Sequence, residues 1–151
     1  MVGTTPARKG RRTAAVDPEP LLVVALQRAT HAAGVKLEAL LADTGVSQGE
    51  AHVLALLADG AEHTVGDLQR GLAHRPSTLS GLLDRLEGRG LIRRALNEAD
   101  RRSFLISLTR SGRVAARTVV EALRAIEHEA LTGVSARDRA GFITVSRAFG
   151  S

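Results

Sequence analysis

Apolar residues recur with helical spacing over most of the chain and alternate in only one short stretch. From Leu21 onward, Leu22, Leu26, Ala29, Ala33, Leu37 and Leu40 follow spacings of 4, 3, 4, 4 and 3. That pattern predicts one helix of roughly 20 residues with a narrow apolar stripe. Such a stripe suits packing on other helices, including those of a second chain. Ser47 and Glu50 then form an S-x-x-E capping box, opening a helix "EAHVLALLAD" that stops near Gly60. Thr64 and Asp67 signal a second start of the same type. Val65, Leu68 and Leu72 share one face of the short helix that follows. Pro76 stands where a first helical residue is tolerated. Leu79, Leu82, Leu83 and Leu86 give "PSTLSGLLDRLEGR" an i, i+3, i+4, i+7 face, and Gly90 is placed to end it.

The period then changes. "LIRRA", a tip "NEAD" and "RRSFLISL" read as two strands of a hairpin, with Phe104, Ile106 and Leu108 alternating against Ser103, Leu105 and Ser107. Thr109 caps a further helix striped by Val119, Leu123, Ile126 and Ala130. Ser135 and Asp138 start a last helix, expected to bury Phe142, Val145 and Phe149. Residues 1–17 show no periodicity, are small, polar and basic (Arg8, Lys9, Arg11, Arg12), and are expected to be a disordered arm bounded by Pro18 and Pro20. Three short helices followed at once by a charged hairpin is the order of a winged helix-turn-helix. The expected fold class is therefore mainly α with a small β-hairpin wing, with further helices at both ends.

Charge changes this picture through its placement rather than its sum. The net charge of +5 favours an anionic partner only weakly, since solubility alone accounts for as much. The helix over 76–89 presents Pro76, Ser77, Thr78, Ser80 and Gly81 at its start and Arg85 one turn further on. Hydroxyls reach phosphates and base edges, and a helix N-terminus carries N–H groups and partial positive charge that suit phosphate. Gly81 costs about 1 kcal/mol of helix stability relative to alanine, so it requires a reason such as close approach. At the hairpin tip, Arg101 or Arg102 is placed to enter a minor groove, while Arg93 and Arg94 add charge on the facing strand. Asp100, two positions before Arg102, is expected to hold that guanidinium by a bidentate pair and preorganise it. The same residues also suit an ordinary polar helix face and a solvated turn with an incidental ion pair.

Composition narrows the function classes. The chain has no cysteine, which excludes disulfides, thiolate metal sites and thiol redox sensing. No apolar run approaches the ~20 residues that span a bilayer, and residues 1–20 lack the apolar segment of a secretory signal. No membrane partner is expected, and the expected location is cytoplasmic. Three Phe with no Tyr or Trp leave little for stacking on single-stranded nucleic acid. No G-x-S-x-G, P-loop or H-E-x-x-H occurs, so no enzyme activity and no cofactor are expected. The histidines (His31, His52, His63, His74, His128) form no tight ligand motif. The "EHE" at 127–129 puts neighbours on different helix faces, and no metal site is expected.

The stretch "DRRSFLISLT" fits the pattern D-x-R, five residues, L-T, at Asp100, Arg102, Leu108 and Thr109. With "STLSGLLDRLEGRGLI" before it, residues 47–112 resemble the MarR-type transcriptional regulators, and the flanking helices resemble them in layout. The resemblance implies a homodimer held by helices within 18–46 and 113–151, with residues 47–112 as the winged DNA-binding domain. It implies a pseudo-palindromic duplex operator, the helix 76–89 in the major groove and the wing 93–104 in the minor groove. There Arg102 enters the groove and Asp100 orients it. It further implies a repressor released by a small molecule, an aromatic acid or phenolic, in a pocket that His31 and His52 would line. Metal-responsive regulation and a winged helix used only for protein contacts are the alternatives, the latter disfavoured by the arginine-tipped hairpin. Gly81 and Gly88 leave few side chains for base contacts, so shape readout is expected to share the work. The missing cysteine excludes the thiol-based peroxide sensing found in the family.

Overall fold

A computed structural model describes residues 21–72 and 75–150. The expected basic arm at 1–17, the punctuating prolines 18 and 20, and His74 lie outside these residues. In chain order the elements are α1 (Leu22–Leu41), α2 (Gln48–Leu56), β1 (His63–Thr64), α3 (Val65–Leu72), α4 (Pro76–Gly88), β2 (Ile92–Leu96), β3 (Phe104–Leu108), α5 (Arg110–Ala130) and α6 (Ala136–Gly150). Both capping boxes form. Ser47 Oγ accepts from the Glu50 amide while the Glu50 carboxylate accepts from the Ser47 amide. Thr64 and Asp67 repeat the exchange. Gly60 and Gly90 take the left-handed conformation, at φ of 80° and 68°, as chain-reversing residues after α2 and α4.

The strand pair of the wing is antiparallel, with Ile92 opposite Leu108, Arg94 opposite Ile106 and Leu96 opposite Phe104. β1, which hydrophobic alternation did not reveal, adds to the other edge of β3, giving the order β1-β3-β2. Two residues are too few to show a period; the strand exists because tertiary pairing creates it. Ile106 and Leu108 are buried, but Phe104, at the outer end of the hairpin, is half exposed and does not join them.

One core joins α2, α3, α4, the sheet and α5. Its fully buried side chains include Leu54, Leu57, Leu68, Leu79, Leu83, Leu86, Ile106 and Val119. The leucine face of α4 is buried as its spacing predicts. α1 differs from the stripe read in the sequence. It turns Gly34, Leu37 and Leu41 to its own chain and leaves Leu22 and Leu40 exposed. α6 starts at Ser135 and Asp138 as expected. Phe142, Val145 and Phe149, however, are not buried within this chain; they are 58%, 42% and 51% exposed. Among the described residues the apolar side of α6 has little intramolecular cover.

Candidate nucleic-acid interface

The wing tip is longer than the four residues expected. It runs from Asn97 to Ser103, so Arg101 and Arg102 belong to the tip and not to the second strand. Two consecutive turns build it. The Asp100 amide donates to the Asn97 carbonyl at 3.2 Å, and the Ser103 amide donates to the Asp100 carbonyl at 2.9 Å. Side chains lock both turns: Asn97 Oδ1 accepts from the Ala99 amide, Asn97 Nδ2 donates to Ser103 Oγ, and Ser103 Oγ donates to the Asp100 carbonyl. Asn, Asp and Ser suit this role because their short polar side chains imitate backbone partners.

On this frame Asp100 Oδ1 accepts from the Arg102 amide at 3.2 Å and from Arg102 Nε at 3.4 Å. The pair forms, but through one carboxylate oxygen and not as the bidentate fork expected. The side chain of Arg102 is 94% exposed. It is tethered at its base with its terminal nitrogens directed to solvent. Arg101 is exposed and has no ion-pair partner among the described residues.

The two arginines of the facing strand do something else. Arg94 lies between two carboxylates of α4, with Nη2 2.6 Å from Asp84 and Nε 3.4 Å from Glu87. It clasps the wing to the helix and neutralises two acids there. Arg93 donates through Nε to Ser107 Oγ at 2.9 Å and approaches Glu62 at 3.6 Å. Both were expected as positive charge available to a partner; both are engaged within the chain. Neighbouring residues of a strand point to opposite faces, so Arg94 meets α4, beside which β2 runs, while Arg93 meets Ser107 of β3 and Glu62.

Along α4, Pro76, Ser77, Thr78 and Ser80 are exposed, and the three hydroxyl side chains make no hydrogen bond among the described residues. A methyl group added at Gly81 would meet only Arg85 Nη1, at an ordinary 3.6 Å. Nothing among the described residues requires a glycine there. Arg85 is drawn toward Glu50, with Nε 3.5 Å from Oε1. Glu50 is 3% exposed and was not anticipated as anything but a cap. Burial would raise its pKa. The hydrogen bonds from Ser47, together with Arg89 and Arg85, outweigh that and hold it below the ordinary carboxylate value. Arg89, also unanticipated, donates to the carbonyls of Gly45 and Thr44 at 2.9 and 3.1 Å. Arg85 and Arg89 are four apart and share a helix face, but that spacing does not show which element the face meets.

The two expected pocket residues separate. His31 lines an open groove of about 460 Å³ beside Leu26, Thr30, Val35 and Gln48. His52, on α2, is half-buried and is not among the residues lining that groove. Among the described residues no three His, Asp or Glu side chains gather as metal ligands. No described helix is long and apolar enough to cross a membrane.

A three-helix core with α4 exposed along one face and a three-stranded sheet ending in a charged tip defines a winged helix-turn-helix protein. The sequence model of the MarR family matches residues 46–104. Over 127 residues the chain is 31% identical to YdgJ, an HTH-type transcriptional regulator of Bacillus subtilis (strain 168), a match spanning 84% of this chain and 76% of YdgJ. Among solved structures, BpsR of Bordetella bronchiseptica, whose DNA binding is regulated by 6-hydroxynicotinic acid, matches with a TM-score of 0.74 at 23% identity, covering 87% of this chain and all of that one. MepR of S. aureus in complex with DNA matches with a TM-score of 0.74 at 22% identity, over 87% of this chain and 96% of MepR. The chain belongs to the MarR family of transcriptional regulators and is not an enzyme.

Proposed function

We propose that this regulator binds a duplex operator as a homodimer, each protomer placing α4 in a major groove and the wing in the adjacent minor groove. The observation that carries the reading is the wing tip, where Asp100 tethers the base of Arg102 and the rest of the guanidinium projects into solvent. A minor groove concentrates negative potential, so a preorganised arginine suits it. The N-terminal turn of α4 supports the reading, because Ser77, Thr78 and Ser80 keep uncommitted hydroxyls and Gly81 leaves room that no internal packing uses. Arg85 is within reach of backbone phosphate while held by Glu50. Arg101 adds charge at the tip. Arg93 and Arg94 serve to fix the wing, and their charge reaches DNA only at long range. As effector we propose an aromatic acid or phenolic that relieves repression. The groove beside His31 is its candidate seat, and structural similarity to a regulator controlled by 6-hydroxynicotinic acid supports that choice.

Selection of bound fragments from genomic DNA, followed by anisotropy titrations across salt concentrations, tests the reading. Affinity should fall steeply with salt as phosphate contacts release counterions. Arg102→Ala should weaken binding about tenfold on every sequence, with further loss at A·T-rich flanks and a salt slope reduced by about one contact. Binding unchanged between low and physiological salt would sink it. For the effector, aromatic acids that neither raise the melting temperature nor shift operator binding would remove that part alone.

A further inference from the structure

The one strongly buried acid in the core of the described chain, Glu50, sits where three elements meet. Its carboxylate accepts from the Ser47 amide and hydroxyl at the start of α2, each at 2.9 Å. The same carboxylate is 3.5 Å from Arg85 Nε and 3.5 Å from Arg89 Nη1, one turn apart, the first in the C-terminal half of α4 and the second at its C-cap. Arg89 also reaches the corner where α1 gives way to α2. It donates from Nη1 to the Gly45 carbonyl and from Nη2 to the Thr44 carbonyl, in the planar fork that only a guanidinium supplies. That corner is itself tightly made. Thr44 Oγ1 donates to the Leu41 carbonyl and accepts from the Val46 amide, and Gly45 turns at φ 63°. The wing contacts α4 through Arg94 instead, on a different part of its surface.

A capping box needs only a Glu or Gln that returns to the N-cap amide. It does not need two arginines from another helix. Nor does α4 need Arg89 in order to end, since Gly90 closes it in the left-handed conformation. The arrangement does one thing that neither local role explains. It ties the C-terminal half of α4 to the end of α1 through a short, charged and partly buried connection.

We infer that Glu50 and Arg89 form a strut that sets the position of the reading helix relative to the α1–α2 corner, with Glu50 also aiming Arg85. They are positioning residues and do not themselves contact DNA. A displacement of α1 at its C-terminal end moves the Thr44 and Gly45 carbonyls, and Arg89 carries that movement into α4. This rests on α4 being the helix that reads DNA.

The test uses the full chain with Glu50→Gln, Arg89→Lys and the double variant. Glutamine keeps the capping box and removes the charge; lysine keeps the charge and removes the fork. Amide hydrogen exchange of 42–47, 76–89 and 94–104 is measured first, without DNA. Both single variants should speed exchange at the corner and in α4 while leaving the wing segment as in the wild type. Affinity for the selected operator should fall about tenfold with an unchanged salt slope, because orientation is lost and no phosphate contact is. The double variant should lose little more than either single one, since the pair acts as a unit. Unaltered exchange in α4 for Arg89→Lys overturns the strut, whatever happens to DNA binding. For Arg89→Ala, which removes the charge as well, a salt slope reduced by about one contact also overturns it, by making Arg89 a phosphate ligand. If the wild type binds no duplex, the DNA-reading proposal fails, and the exchange measurement still decides the strut.

Discussion

Arg94 shows why charge at a given position in a wing does not specify its use. Between Asp84 and Glu87 it cancels two acids on the surface of α4. Exposed pairs of this kind contribute little to stability, so its effect lies in where the wing sits and in the potential that DNA meets. Arg94→Ala should weaken operator binding roughly threefold. Adding Asp84→Asn and Glu87→Gln in the same chain should restore most of the loss. A direct phosphate ligand would not be rescued by neutralising acids to anything near wild type. Asp100 makes the complementary case. Its removal helps by long-range attraction, but Arg102 must then be ordered on binding, at up to ~2 kcal/mol. An exposed acid is screened beyond ~8 Å at physiological salt. Asp100→Ala should therefore bind less tightly than wild type, with an unchanged melting temperature. Tighter binding at physiological salt would show that the acid does not aim the arginine.

At the scale of elements, the junction between the wing and α5 is held by backbone contact. Thr109 Oγ1 donates to the Gly90 carbonyl at 2.7 Å and caps α5 by accepting from the Gly112 amide. A methyl group at Gly112 would fall 1.8 Å from the Leu91 carbonyl oxygen, a backbone atom that cannot rotate away. Gly112→Ala should destabilise the fold by about 3 kcal/mol, seen as a lower melting temperature. The caps also give a pH dependence. Glu50 is depressed as already described. Asp67 lies low because of hydrogen bonds from the Thr64 side chain and amide, and Asp59 because of the Ala61 amide and then His63. Depressed carboxylates contribute stability above their unfolded pKa and lose it as pH falls through the folded value. Melting temperature should thus decline from about pH 5 downward. Asp67→Asn, which keeps the cap, should show a shallower decline. The caps and the α4 leucine face were legible in the sequence because both signals are local. β1 was not, being two residues defined by a partner some forty positions away. The strut was not legible either: the capping box fully explained Glu50, and spacing alone does not show that α4 crosses the α1–α2 corner.

The whole molecule leaves its two ends unfinished. Leu21, Leu22, Val23 and Val24 are exposed at the start of α1, and Phe142, Ile143, Val145 and Phe149 along α6. Exposed apolar side chains are ordinary one at a time, but runs of them on two terminal helices call for cover. This explains why the α6 phenylalanines, expected to be buried, lack cover within the chain, and why Leu37 alone of the α1 stripe is buried there. Periodicity registers that a face is apolar, not which chain covers it. We propose that a second copy does, joining the two winged domains on a rigid base. At micromolar concentration sedimentation should then show a dimer, and Phe142→Glu with Phe149→Glu should shift it to monomer while the winged core still melts cooperatively. Coupling two readers also makes spacing matter. Half-sites should lie about one helical turn apart, and inserting about five base pairs between them should turn one site to the opposite side of the duplex and cut affinity. The glutamate variant, binding one half-site at a time, should bind weakly and respond little to that insertion. A wild type that sediments only as monomer, or binds the spread site as tightly as the native one, would show that each chain reads DNA alone.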